Sequence, residues 1–221
     1  MNDNYVKEIL NQPNAQLIIN KVKDELIAEE QKRNAFYEWI DEDTKAEFIN
    51  GRIDLHSPVK KEHTDVTKYL LMLLQPFVAI NQLGYIGFEK TMIRLTRNDY
   101  EPDVCFFKKE KAKDFKVGQM LYPTPDFVVE ILSSNVERDR VTKFIDYQEH
   151  GVSEYWIIHP QNKVVEQYLL KNSKYELELK AKEGHIYCQA VEGFTIAVAS
   201  IFNETDNLKM LIEILSKNNK Q

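Results

Sequence analysis

The sequence predicts an α/β (α+β) protein, a mixed sheet with a helix packed between its early and late strands. Three observations predict it. Apolar residues recur at three- and four-residue spacing in an early, a middle and a late segment, the period of amphipathic helices. An Asn50-Gly51 pair lies between two short β-forming runs, Glu47-Phe48-Ile49 and Arg52-Ile53-Asp54-Leu55; Asn-Gly supplies the positive φ angles of a two-residue hairpin turn. From Ile86 onward, short runs rich in Val, Ile, Phe and Tyr alternate with turn residues.

The elements follow in order. A first helix is expected from about Ala15 to Arg33, with Ile18, Ile19, Val22, Leu26 and Ile27 on one face. An aromatic patch, Phe36-Tyr37-Glu38-Trp39, reads as core packing. After the hairpin, Ser57-Pro58 breaks the chain and a helix from about Glu62 to Val78 presents Val66, Leu70, Leu73, Leu74 and Phe77. Strands are expected over Ile86 to Leu95, Pro102 to Phe107 and Asp126 to Leu132, the last two separated by the Lys-rich loop Lys108 to Lys116. A helix from Val136 to Glu149 ends at Gly151, where glycine suits the left-handed C-cap. Strands over Glu154–His159, Val164–Leu170, Tyr175–Leu179, Ile186–Ala190 and Phe194–Val198 precede a final amphipathic helix. The expected organisation is a helical extension over 1–33, a central domain over 34–202, and a helix with tail over 203–221.

Composition bounds the function. A chain of 221 residues, 43% hydrophobic and 29% charged, is an ordinary globular sequence, and 7 Gly and 7 Pro exclude collagen-like and low-complexity readings. The longest apolar run, Tyr69 to Ile80, is broken by Gln75 and Pro76 and is too short to span a bilayer. No signal-peptide pattern opens the chain, and Cys105 and Cys188 sit in strand-like runs, so a cytoplasmic protein with reduced thiols is expected. A net charge of −6 is no footprint of bulk attraction to nucleic acid; such a role needs a local basic groove.

The chemistry concentrates in acids and one lysine. There is no Gly-rich phosphate loop, no zinc-spaced Cys pair and no Gly-x-Ser-x-Gly elbow. Asp103 opens the apolar run Val104-Cys105-Phe106-Phe107. Glu130 sits inside Phe127-Val128-Val129-Glu130-Ile131-Leu132, a run expected to be fully buried. An unpartnered buried carboxylate costs several kcal/mol or keeps its proton, so Glu130 needs a metal ion or a lysine. On the helix that follows, Asp139, Lys143 and Tyr147 are four apart and share a face. That spacing brings Lys143 back over the sheet toward Glu130. If the Asp103 strand pairs alongside, two carboxylates can share an oxygen-ligated Mg²⁺ or Mn²⁺. Read structurally, Asp103 caps a turn, Lys143 pairs only with Asp139, and His63 caps the start of its helix. Arg138, Arg140 and Tyr147 then form a solvated face or orient neighbours, and the Lys108–Lys116 segment is a solvated loop.

Glu101-Pro102-Asp103, Val128-Val129-Glu130-Ile131-Leu132-Ser133, Asp139-Arg140 with Lys143 and Tyr147, and Gly151-Val152-Ser153-Glu154-Tyr155-Trp156 closely resemble the Uma-two (Uma2) family. Its members are described as restriction endonucleases of the PD-(D/E)XK superfamily. Glu47-Phe48-Ile49-Asn50-Gly51-Arg52-Ile53, Ser57-Pro58 and His63 look like its first motif. The resemblance runs from about Arg33 to Ile201. It implies a restriction-endonuclease-like core, a mixed sheet flanked by helices with additional C-terminal antiparallel strands. It implies Mg²⁺-dependent phosphodiester hydrolysis, with Asp103, Glu130 and Ile131 holding the metal. The superfamily's lysine two residues after the strand glutamate is Leu132 here; the resemblance moves that role to Lys143 and adds Glu47 as an accessory acid.

The resulting expectation is a Mg²⁺-dependent endonuclease acting on DNA, with no membrane partner. The N-terminal helix and aromatic patch suggest a homodimer. The alternatives are a catalytically silent binding or assembly module on the same fold, which the acidic charge favours, and a phosphodiesterase acting on small nucleotides.

Overall fold

The computed structural model describes residues 3–133 and 138–218. In chain order these form α1 (Asp3–Leu10), α2 (Ala15–Trp39), β1 (Ala46–Ile49), β2 (Arg52–Leu55), α3 (Lys61–Ile80), β3 (Gly84–Phe88), β4 (Met92–Arg94), β5 (Asp99–Tyr100), β6 (Val104–Lys108) and α4 (Lys109–Ala112). There follow β7 (Leu121–Tyr122), β8 (Phe127–Ile131), a π-helical turn (Arg138–Thr142), α5 (Lys143–Glu149), β9 (Glu154–His159), β10 (Val164–Lys171), β11 (Lys174–Ala181), β12 (His185–Tyr187), β13 (Thr195–Ala197) and α6 (Glu204–Asn218). The expected helix start at Val136 lies outside the described residues. The chain divides into two compact units, Met1–His56 with Leu95–Tyr100, and Ser57–Arg94 with Glu101–Gln221.

In the first unit, β1 pairs antiparallel with β2 and with β5. The hairpin turns on Asn50 and Gly51, with φ of 50° and 76°, as the Asn-Gly pair requires. Helix α2 runs six residues beyond its expected end and takes in the aromatic patch, and α1 precedes it. Its expected apolar face is not buried: Val22, Leu26 and Ile27 are exposed, and the helix buries Arg33 and Phe36. The reason is a set of contacts distant in sequence. Arg33, 2% exposed, donates Nε to Asp99 Oδ2 at 2.7 Å and Nη2 to Oδ1 at 2.7 Å. It also donates to the carbonyls of Leu95, Thr96 and Asn98, while Phe36 packs on Phe48 with ring centroids 5.7 Å apart. A charged residue thus ties the helix to β5, and periodicity of apolar residues carries no trace of that.

The second unit is built on a six-stranded sheet ordered β11-β10-β9-β8-β6-β3. Every pairing is antiparallel except β8 with β9, which is parallel across the crossover through α5. The sheet is therefore mixed, as expected. The run expected as one strand over Ile86 to Leu95 is two, β3 and β4, broken where Glu89 adopts φ 55°. One face of the sheet forms the core with α3 and α6: Leu70, Leu73 and Leu74 meet Val104, Phe106, Val129, Ile131, Trp156 and Ile158. Pro76 lies within α3, and the helix continues through it.

Glu154 is fully buried on β9 and is answered by neutral donors alone among its described partners. Trp156 Nε1 and Gln167 Nε2 donate to Oε1 at 2.6 Å each, and Ala190 N to Oε2 at 2.8 Å with Cys188 Sγ at 3.4 Å. Burial pushes its proton affinity up, against the pull of those donors.

Two predictions follow from these buried charges. Arg33→Met strands the Asp99 carboxylate and should lower stability by about 3–5 kcal/mol, read by urea denaturation. Glu154 binds its proton more tightly in the folded than in the unfolded chain, so its contribution falls as pH rises from the unfolded value, near 4.5, through the raised folded one. Glu154→Gln should flatten that part of the stability–pH curve.

Candidate active site

The site begins with register. β6 and β8 pair with Val104 opposite Val129 and Cys105 opposite Val128, and Asp103 and Glu130 flank the end of that ladder. Successive side chains alternate between faces. Val104, Val129 and Ile131 enter the α3 core, so Glu130 points to the other face, whereas Asp103, just before β6, is bonded by His63 of α3. The N–H of Ile131, next to Glu130, donates to Asp103 Oδ2 and brings the two acids to the same end of the ladder.

Each acid is held differently. Asp103 Oδ2 accepts the backbone N–H of Ile131 at 2.7 Å and the ring N–H of His63 at 3.1 Å. Among the described residues Oδ1 takes no hydrogen bond. Burial would raise the proton affinity of Asp103, but the bonds from His63 and Ile131 and the charge of Lys143 hold it below the usual carboxylate value. The Asp103 side chain is buried and bonds His63 and the Ile131 backbone rather than a turn of its own chain.

Glu130 is 4% exposed. Its Oε1 accepts Lys143 Nζ at 2.9 Å and Tyr147 Oη at 3.0 Å. Lys143 and Tyr147 are one helical turn apart on α5, and both are buried. This is the face the four-residue spacing predicts; the side chain of its third member, Asp139, lies outside the described residues, as does that of Arg138. The lysine pairs across the fold with the strand acid, a contact absent from the structural reading of a plain helix-face pair.

The remaining candidates are placed as follows. Ile131 points its side chain into the core, so only its backbone is available to the site, and its N–H already orients Asp103. Glu47 belongs to the first unit, buried on β1 with Oε2 3.3 Å from His56 Nε2. The Lys108–Lys116 segment contains α4, and Lys111 Nζ lies 3.0 Å from Asp126 Oδ1. Arg140 pairs with Glu166 at 2.9 Å.

The donor set suits a hard divalent ion. Among the described residues no three His, Cys, Asp or Glu side chains are grouped to enclose a metal, so a cage of the structural zinc kind is not formed. Asp103, Glu130 and the Ile131 carbonyl would offer an oxygen-only partial shell, the donor chemistry of a hard divalent cation that keeps several waters.

His63 is the residue whose role sequence reasoning undervalued. Buried at the start of α3, it bonds Asp103 through Nε2, and among the described residues its Nδ1 has no hydrogen-bond partner. A buried polar atom left without a partner costs about 1–3 kcal/mol. Only its place three residues into α3 and close after the first motif marked it in the sequence.

Comparison with known proteins identifies the family and the fold. A family model described as "Putative restriction endonuclease" matches residues 33–199. No curated protein matches the chain. A solved structure, described as a putative nuclease belonging to DUF820 from Anabaena variabilis, superposes with a TM-score of 0.64 at 17% identity, covering 80% of this chain and 96% of that one. At that identity the likeness establishes the fold. No helix of the described residues is long and apolar enough to cross a membrane.

The Glu130–Lys143 pair can be tested without any activity. Lys143→Met should cost about 3–5 kcal/mol by leaving a buried carboxylate unanswered. The double variant Glu130→Gln/Lys143→Met should lose less than the sum of the singles, measured by urea denaturation in a double-mutant cycle.

Proposed function

The chain belongs to the Uma2 family of putative restriction endonucleases, and on that premise we propose that it is a Mg²⁺-dependent endonuclease hydrolysing phosphodiester bonds in DNA. One observation carries the reading: the Lys143 ammonium is buried 2.9 Å from Glu130, and the N–H of the adjacent Ile131 holds Asp103. Asp103, Glu130 and the Ile131 backbone hold the metal. A divalent ion bound there supplies Lewis acidity to the phosphate and lowers the pKa of a bound water.

The chain's own groups do the rest. His63 and the Ile131 N–H fix one oxygen of Asp103, so the other is presented in a set direction. Tyr147 holds Glu130 from the side. Lys143, a fixed positive donor in a largely dry site, stabilises negative charge growing on the phosphoryl oxygens and positions the attacking water. Glu47 enters as an accessory acid on the family resemblance alone. A cytoplasmic homodimer completes the reading. Exposed Leu17, Val22, Leu26 and Ile27 on α2 offer apolar surface for pairing, and sedimentation of the full chain reads the assembly state.

The net charge of −6 favours one rival, a silent module that binds without turnover. Calorimetry with Mn²⁺ separates the two, since Asp103→Asn should abolish a binding heat that a silent module need not show. Purified protein should cut plasmid DNA in Mg²⁺. Glu130→Gln and Asp103→Asn should each slow cutting by at least about 100-fold while far-UV dichroism stays unchanged. Undiminished cutting by either variant ends the proposal, and cutting of dinucleotides alone favours the small-nucleotide reading.

A further inference from the structure

The polypeptide reaches Lys143 through an unusual piece of backbone. Residues Arg138–Thr142 form a π-helical turn, and α5 begins at Lys143 itself. π-Helical residues are well under 1% of globular proteins. The wider i→i+5 turn recurs at functional sites, because it alters the direction in which the following side chains leave the helix. The turn has a long-range side-chain contact through Arg140.

That contact is Glu166. It lies on β10, 1% exposed, across from Ile157 of β9 and Lys180 of β11. Arg140 Nη2 reaches its Oε2 at 2.9 Å, Lys180 Nζ its Oε1 at 2.9 Å, and Tyr168 Oη donates to Oε2 at 3.0 Å. The Arg140 guanidinium also donates to His159 Nε2, which lies 3.6 Å from Glu166 Oε1. Burial opposes ionisation of Glu166, yet Lys180, Tyr168 and Arg140 hold it charged. Lys180 is 60% exposed and by itself balances the carboxylate. Charge balance therefore leaves the second, fork-shaped cation unexplained. Its distinguishing property is where it sits: in the π-turn, three residues before Lys143, one turn away on the same side.

We propose that Glu166 is a positioning residue for Lys143, acting through Arg140 and the π-helical turn. The carboxylate anchors the guanidinium on the sheet, the guanidinium fixes the turn, and the turn sets the phase that delivers the Lys143 ammonium to Glu130. The catalytic consequence rests on the nuclease reading above; the positional one does not.

The test uses the full chain with Glu166→Gln, Arg140→Met, Arg140→Lys and Lys180→Met. Two readouts are taken: Mg²⁺-dependent plasmid cleavage, and acylation of Lys143 by an amine-reactive reagent, followed by peptide mass spectrometry. Lys143 is protected in the native protein by burial. Glu166→Gln and Arg140→Met should lower kcat by about 10- to 100-fold, the usual range for outer-shell orienting contacts, at unchanged KM, and should raise the Lys143 acylation rate. Their double variant should be no worse than either single, and Arg140→Lys should restore part of the loss. Lys180→Met, which removes an equal charge from Glu166, should change neither readout. The proposal is overturned if Lys143 stays protected in Glu166→Gln and Arg140→Met, or if Lys180→Met is as damaging as Arg140→Met. Should the native protein not cleave DNA, the nuclease reading fails, while Lys143 acylation still decides the positional claim.

Discussion

The buried pair between Glu130 and Lys143 is the constraint around which the second unit is organised. A carboxylate in the middle of an apolar strand has to be answered within a few ångströms, and the answering group comes from the very next helix. That requirement dictates the local topology. β8 must leave the sheet, the chain must turn so that α5 lies over the face opposite the α3 core, and β9 must return parallel beside β8. Tyr147, one turn after Lys143, takes a second bond to the same oxygen, so the helix is fixed in rotation as well as in place.

The chain contains further strand acids that look alike in sequence and are resolved by different chemistry. Glu154 is met by Trp, Gln, Cys and backbone donors, and its proton affinity rises because hydrogen bonds offset only part of the cost of burial. Glu166 is met by Arg140 and Lys180 and stays ionised. Glu130 is met by a lysine and a tyrosine, beside a second acid whose own charge is maintained by His63 and a backbone N–H. Glu130 thus has a cation between helix and sheet and, through the N–H of its neighbour Ile131, a second acid close by. Burial of an acid in a strand is by itself a weak sign of a site.

This explains what was legible in the sequence. The Asn50-Gly51 turn declares its hairpin because few residue pairs adopt its backbone angles. β8 and β9 are readable as largely apolar runs, each carrying one buried glutamate, and the Lys143–Tyr147 face follows from helical period. Glu89, which splits the expected strand over Ile86 to Leu95, takes a left-handed conformation that its residue type does not advertise. The exposed apolar face of α2 was misread for a related reason: what seats that helix is Arg33 on Asp99, a contact 66 residues apart in sequence. The same blindness covers His63 with Asp103 and Arg140 with Glu166. Local pattern reveals which groups need partners; long-range pairing decides who the partners are.

Lys143 also bears on how a net-acidic chain can tolerate such a site. Asp103 and Glu130 lie at the same end of the β6–β8 ladder, and like charges in a dry interior are weakly screened. The ammonium lies 2.9 Å from Glu130, while His63 and the Ile131 N–H bond Asp103. The lysine thereby serves the folded state before any chemistry begins, which accounts for a side chain of its length and flexibility being buried to within 1% of its surface. A shorter or neutral residue at that position would leave the buried Glu130 carboxylate without the ammonium 2.9 Å away, at the cost of an unanswered buried charge.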